Sequence, residues 1–585
     1  MTVTVQETQQ VPKHLRKYTA KQNYDAYTPI NHAVWRYVMR QNHHTLKDLA
    51  HEAYTDGLRA SGITIEKIPN VYDMNKALAP FEWGAATIDG FIPGVAFFEF
   101  QGNGILPIAT EIRKLENIQY TPAPDIIHEA AGHAPILCNE KYSEYVKLFG
   151  EIGKKAIATK EEHEHFDAVR NYSNLLEKGG ATEEEIQAAE RRVKEKEDAI
   201  QGVSEAEKIG RLYWWTVEYG LIGTVEEPRI YGAGLLSSVA EGSNILSSEV
   251  EKRPFNVQEM VETAFDITKP QPQLFVCTSF DQLIDGLKEF ANEMAFIKGG
   301  TESLEKAIQS ENTATSVFSS GLQVTGIFSE RLIDNEGNLT YIKTNGPTNL
   351  AVDNIELPGH GTNHHADGFG SPVGKLKGLT KPLEDLNDEE LVGQGIIKGE
   401  RATLNFESGV EVKGEVKDIV KKNNKVVLIN FEDCRVTLGD KVLFEPEWGV
   451  FDMAVGAEIV SVFAGAADGE AFHPTVNAEP EEEKVLSELT PIEQLFQDVR
   501  DVREGRVENV EAELTRVVNE IKEVSPDDWL LRIEIIEILL AKEIASELLK
   551  EVNEELERVK MLNDEWCTLI ERGRTVAKSA PLISE

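Results

Sequence analysis

The chain has 585 residues, of which 41% are hydrophobic and 27% charged, and this length predicts roughly two to four domains instead of one compact core. Its net charge of −40 argues against nucleic acid or an anionic membrane as a general partner, and no apolar run is long enough to span a bilayer. The opening "MTVTVQETQQVPKHLRKYTAKQ" lacks the apolar core of a signal peptide, and Cys138, Cys277, Cys434 and Cys567 form no CxxC pair, so free thiols and a cytoplasmic location are expected.

Residues 1–20 read as a flexible tail. The interval 21–300 mixes helical patterns with short loops rich in Gly and Pro. Its early stretch "NHAVWRYVMRQNHHTLKDLAHEAYTDGLRASG" has apolar residues at helical spacing and a glycine at its end. At about 158–202, "KEEHEHFDAVRNYSNLLEKGGATEEEIQAAERRVKEKEDAI" is highly charged with Gly-Gly in the middle. It predicts a two-helix surface hairpin, an insertion that adds little to a core. Over 301–475, short runs rich in Val, Ile and Thr alternate with turn signals such as "DNEGN", "ESG" and "KKNNK", which predicts β-strands in small sheets or barrels. The interval 476–585 opens on an acidic linker around "VNAEPEEEK". It continues with helical periodicity in "DDWLLRIEIIEILLAKEIASELLKEVNEELERVKML", read as a small bundle or a partner-binding module and a candidate surface for forming a homo-oligomer. The fold class expected is therefore multidomain: a mainly α-helical domain with short strands, then a β-rich domain, then a C-terminal helical segment.

The stretch "PDIIHEAAGHAP" places His128 and His133 five residues apart. A zinc-protease helix needs histidines at i and i+4, whereas i+5 separates them by about 140° on a regular α-helix. Gly132 and Pro135 suggest that the helix ends or bends there, which could swing the second imidazole back. Taken alone, the pair reads more readily as core histidines. With no cysteine or third histidine nearby, a third ligand would have to be a carboxylate, and two histidines with one carboxylate form the facial triad of non-heme Fe(II) oxygenases. The candidate is Glu218, set in the apolar and aromatic "RLYWWTVEYGL", where a buried carboxylate needs a cation or a metal. A glutamate paired with a core arginine is the alternative.

Four stretches in order, "YTPAPDIIHEAAGHAPIL", "YWWTVEYGL", "YGAGLLSS" and "FDITKPQPQLFVCTSF", resemble the signatures of the tetrahydropterin-dependent aromatic amino acid hydroxylases, with bacterial phenylalanine 4-monooxygenases the nearest likeness. The resemblance covers about half the chain. It implies that His128, His133 and Glu218 bind Fe(II). Arg113 would clamp the substrate carboxylate, oriented by Asp125, with Thr121 and Ser237 completing the amino-acid site and Trp214 walling the aromatic pocket. An arginine suits that clamp because its planar fork binds a carboxylate bidentately. The reduced pterin would lie near "GFIPGVAFF", contacted by the backbone of Gly90 and Ile92 and stacked on Phe97, with Glu129 facing it through water and Tyr213 close to the iron.

The function implied is hydroxylation of L-phenylalanine to L-tyrosine with dioxygen, Fe(II) and a tetrahydropterin, a step in phenylalanine catabolism. Tryptophan or tyrosine hydroxylation by the same family is the alternative. A regulatory or binding protein on an inactive hydroxylase fold is a further one, from a different class. Trp214 and Val276 predict a pocket that prefers phenylalanine, since a phenolic hydroxyl would lack a partner there. The loop "HGTNHHADGFGSP" gathers His360, His364, His365 and Asp367. It could hold a metal but reads more simply as a Gly-rich loop with incidental histidines, and these residues are not counted as ligands.

Overall fold

The computed structural model describes residues 11–88, 92–119, 124–178, 182–238, 241–245, 247–267, 269–473 and 488–579. Gly90, Thr121 and the acidic stretch at 474–487 lie outside them.

The first long apolar pattern resolves into two helices, Pro29–Leu46 and Ala53–Ala60. Thr28 caps the first by a reciprocal bond with Asn31, and Gly62, at φ +77°, closes the second where a side chain would be strained. Residues 11–20 differ from the tail expected of them. Val11 and Leu15 are buried against Ile88, Phe100 and Ile105, and the Ala20 amide donates to the Thr87 carbonyl at 3.0 Å. Two apolar residues at i and i+4 were enough to dock the short 3₁₀ helix Lys13–Tyr18.

Around these helices lie two small sheets. One is the parallel pair Gly84–Ile88 and Ile105–Ala109; the other has four short strands in the order Pro228–Ile230, Leu221–Gly223, Gln273–Cys277, Glu251–Pro254. The charged stretch forms helices Lys160–Lys178 and Glu183–Ala199, and the second has no buried residue. This follows from its composition, since a helix polar all round has no face to bury.

From Thr313 the chain builds two antiparallel sheets, one of six strands and one of five. "DNEGN", "ESG" and "KKNNK" all fall at their hairpin loops. In the last, Asn423 and Asn424 both have positive φ, as a two-residue hairpin turn matched to strand twist requires. Each sheet has its own buried cluster, one around Phe318, Phe328 and Leu350, the other around Val412, Phe431 and Phe451.

Five C-terminal helices follow among the described residues, from Pro491–Arg503 to Asp564–Ser579. They do not stand apart: Phe496, Trp529, Leu530 and Ile570 belong to the same buried cluster as Val34, Val38, Ile127 and Trp215. The middle helix, Leu530–Lys542, is buried on every side from Leu530 to Leu539, including Arg532, Glu534 and Glu537. No helix among the described residues is long and apolar enough to cross a membrane.

Candidate metal centre

The two ligand-bearing segments share an unusual backbone. Ile127–His133 and Trp214–Glu218 are both π-helical, and the Tyr219 amide donates to the Trp214 carbonyl, five residues back, at 2.8 Å. Gly132 and Pro135 do not end the helix at once; the π-helix runs on into Ala134–Leu137. With i→i+5 bonding, residues five apart come round to one face, so the wide turn performs the realignment that a bend was expected to supply.

Glycines let a third segment in. A Cβ on Gly132 would lie 2.7 Å from the Ala233 carbonyl oxygen, and one on Gly232 would lie 2.4 Å from that of Glu218. The segment "YGAGLLSS" thus packs its backbone directly on both ligand helices, and its helix Ala233–Ser237 delivers Ser237 to the centre.

There, His128 Nε2 and His133 Nε2 each stand 3.2 Å from a different oxygen of Glu218. Together they make a buried set of two nitrogens and a carboxylate whose ligand atoms all lie within 4.8 Å of one another. Ser237 Oγ donates to the Ala233 carbonyl at 2.8 Å and lies 3.1 Å from His128 Nδ1. Its lone pair can therefore accept the Nδ1 proton, which leaves Nε2 as a free donor atom. Burial would raise the Glu218 carboxyl, but His133 and His128 outweigh it and hold it well below the usual carboxylate range. Burial opposes charge on His128, and Glu218 prevails, raising it to about 9. A metal cation could take the place of these ring protons beside the same buried carboxylate. The donor set suits iron or another first-row divalent ion.

Asp125 connects this centre to Arg113. Arg113 Nε and Nη2 donate to its two oxygens at 2.8 Å each, and the His128 amide donates to Oδ1 at 3.1 Å. One carboxylate thus fixes both the arginine fork and the start of the helix that carries the first histidine. Among the described residues, Arg113 Nη1 reaches the Ile118 carbonyl alone, at 3.5 Å.

The remaining residues divide. Phe97 is half-buried while Phe98 is in the core, and both rings meet Tyr213 edge-on at 5.6 and 5.4 Å. Tyr213 Oη accepts from Gln101 Nε2 at 2.6 Å. Ile92 packs with Val11, Leu15 and Ala96. Glu129 is buried, with its carboxyl raised by burial and one oxygen, Oε2, lacking a hydrogen-bond partner 3.9 Å from His133 Nε2. An orphaned polar atom of this kind asks for a ligand or water. Trp214 is stacked between Phe265, at 4.3 Å and 10°, and Tyr219, at 4.6 Å. Sequence reasoning singled out neither Phe265, Tyr219 nor Gln101. Phe265 opens "FDITKPQPQLF" and Tyr219 follows Glu218, so for these two the signal was present in the stretches already quoted.

The profile of the biopterin-dependent aromatic amino acid hydroxylases matches residues 7–177 and 199–298, so the unmatched gap coincides with the exposed second helix of the charged hairpin. Phenylalanine-4-hydroxylase of Pseudomonas aeruginosa is 30% identical over 278 residues, covering 47% of this chain and 89% of that protein. The enzyme of the same name from Chromobacterium violaceum is 28% identical, covering 46% and 76%. A crystal structure of the Chromobacterium violaceum phenylalanine hydroxylase bound to cobalt covers 48% of this chain and 87% of its own, at 25% identity and a TM-score of 0.37. By sequence, this chain belongs to the biopterin-dependent aromatic amino acid hydroxylases.

Proposed function

We propose that the chain is an iron- and tetrahydropterin-dependent phenylalanine 4-monooxygenase. The observation that carries this reading is the convergence of His128, His133 and Glu218 on one point, with Arg113 tied to the same helix start through Asp125. His128, His133 and Glu218 would hold Fe(II), leaving positions for dioxygen and substrate. Arg113 would take the substrate carboxylate, with Thr121 and Ser237 proposed to complete the amino-acid site. Trp214, stiffened between two rings, would set the wall of the aromatic pocket. Gly90, Ile92, Phe97, Glu129 and Tyr213 would hold the pterin, which would supply the two electrons that dioxygen needs beyond those from the substrate.

The protein's own contribution is positioning and exclusion of water. With a metal bound, the Ser237 contact would hold His128 in the tautomer that presents Nε2. Asp125, held below the usual carboxylate range because Arg113 outweighs its burial, keeps the guanidinium oriented. Burial raises the Glu129 carboxyl, and its unpartnered Oε2 would serve a hydrogen bond to a heterocycle or to a water between them.

Phenylalanine is the preferred substrate in this reading. Val276 is buried in the strand Gln273–Cys277, and a phenolic hydroxyl left unpaired among such residues costs about 1–3 kcal/mol. A cytoplasmic location goes with a pathway of free amino acids. Self-association, where it occurs, would use the outer end of the C-terminal helices, where Met561 and Leu562 are exposed. The test is purified full chain with Fe(II), a reduced pterin and the three aromatic amino acids in competition. Tyrosine should form from phenylalanine, with the highest specificity constant. No hydroxylation of any of the three sinks the function, and a higher constant for tryptophan overturns the substrate assignment.

A further inference from the structure

A second cluster of imidazoles and a carboxylate sits in the β-rich half. His360, His364 and His365 occupy the loop between the short strands Ile355–Glu356 and Gly370–Pro372, on the six-stranded sheet. Asp452 lies in Phe451–Ala454, a strand of the five-stranded sheet. Their ligand atoms lie within 4.8 Å of one another, whereas Asp367, the acid in the loop itself, is exposed and outside the group.

The arrangement is built, not incidental. The loop is held to the strand Leu339–Val352 at two points: the Leu350 amide donates to the His360 carbonyl and the Thr348 amide to the His365 carbonyl, both at 3.0 Å. Asp452 is 3% exposed in its side chain, and its ion-pair partners among the described residues are the three imidazoles, with no lysine or arginine. Asn430, its cross-strand partner, donates to Oδ1 and so turns Oδ2 toward the histidines. All three then crowd that one oxygen, with His364 Nε2 at 2.7 Å, His360 Nδ1 at 3.6 Å and His365 Nε2 at 3.7 Å. His360 Nδ1 and His365 Nε2 face each other at 3.4 Å.

Hydrogen bonding alone does not satisfy this set. Three imidazole donors would compete for one carboxylate oxygen, and two ring nitrogens confront each other. A cation at the centre would take a lone pair from each of the four atoms. Tetrahedral zinc with bonds of about 2.0–2.1 Å places its ligand atoms roughly 3.4 Å apart, and the Asp452–imidazole and His360–His365 spacings, from 2.7 to 3.7 Å, bracket that value.

We propose that His360, His364, His365 and Asp452 form a zinc site of three nitrogens and one oxygen that ties the two sheets of the β-rich half together. Imidazole with a carboxylate and no thiolate selects zinc or a neighbouring divalent transition ion over copper(I) or calcium. Four protein ligands close the coordination sphere, as in structural sites, and Asn430 orients the carboxylate.

The proposal does not depend on the hydroxylase assignment, and the experiment keeps the two sites apart. Full-length chain carrying His133→Ala, which disables the first centre, is stripped with chelator and titrated with Zn2+ against a chromogenic competitor. One equivalent should bind, and none once His364→Ala or Asp452→Asn is added. His364 is half-exposed and Asp452→Asn keeps the shape, so both should preserve the circular dichroism spectrum. With His128, His133 and Glu218 intact, His364→Ala should leave hydroxylation unchanged. The proposal is overturned if the His133→Ala chain binds no zinc, or if binding persists unweakened in both added variants.

Discussion

The C-terminal helices and the β-rich region both flank the hydroxylase half, yet they join it through different physics. The helices share its core: Tyr37 donates to the Leu569 carbonyl at 2.7 Å and stands edge-on to Trp529 at 5.1 Å. Beside it runs a buried ionic network. Arg36 pairs with Glu66, Glu534 and Glu537, Arg40 with Glu537 at 3.0 Å, and Arg503 with Glu534 at 2.8 Å. The β-rich region instead has buried clusters of its own. It meets the hydroxylase half through small contacts, such as Ile157 and Ala295 in one of those clusters and Lys306 with Glu205 at 2.7 Å. Distance along the chain is therefore a poor guide to cooperativity. The segment farthest in sequence from the helix Pro29–Leu46 is the one that completes its packing.

The largest expected effect comes from removing each attachment. A chain ending at residue 473 would expose the apolar face of Pro29–Leu46 and remove Glu534 and Glu537 from the network around Arg36 and Arg40. It should lose cooperative unfolding and precipitate. Replacing 314–464 by a short Gly-Ser linker should leave a folded, active protein, because the Gly465 amide already donates to the Thr313 carbonyl at 2.9 Å and the ends meet. Soluble yield and urea unfolding of both would decide, and the reverse pattern breaks the comparison.

Next in size is Glu537→Ala, which removes the carboxylate that Arg36 and Arg40 share and should cost about 2–3 kcal/mol in urea unfolding, since Arg36 keeps Glu66 and Glu534. A loss below about 1 kcal/mol would mean that water reaches the network. Exposed pairs of the charged hairpin supply the contrast. Lys194 bridges Glu197 and Asp198 in the open, and Lys194→Ala should change stability by no more than about 0.5 kcal/mol.

The same seam carries an acid sensitivity. His32 is buried and its Nδ1 accepts from the Ile68 amide at 3.2 Å; burial, with Arg500 of the C-terminal helices adding to it, lowers it to about 4. The unfolded histidine protonates near its ordinary value of about 6.5, so the stabilisation is complete above that pH and is lost as pH falls toward 4. Roughly 3 kcal/mol is at stake across that window. Urea midpoints from pH 7.5 down to 4.5 should fall, and His32→Gln should flatten the decline. An unchanged slope in that variant would place the sensitivity elsewhere.

The sequence by itself pointed to the donors of the candidate centre only through the resemblance of its four ordered stretches, since His128 and His133 alone read as core histidines and Glu218 alone could pair with an arginine. Glu218 stands out because a carboxylate among tryptophans and tyrosines needs a cation, and "HEAAGH" offers two imidazoles close to one another. It also determined the hairpin turns of the β-rich half, since Asn-Asn and Gly positions accept the positive φ that such turns demand. Only the tertiary structure decided how His128 and His133 come to face one point. A π-helix follows from how a segment is packed, here against the glycine-lined "YGAGLLSS", and no residue carries a strong local preference for it. The same holds for Asp452, which lies 88 residues from His364, and for Glu537, which lies 501 from Arg36. Local pattern shows that a helix or strand must bury a face or a charge. Which distant surface receives it is settled only when the whole chain packs.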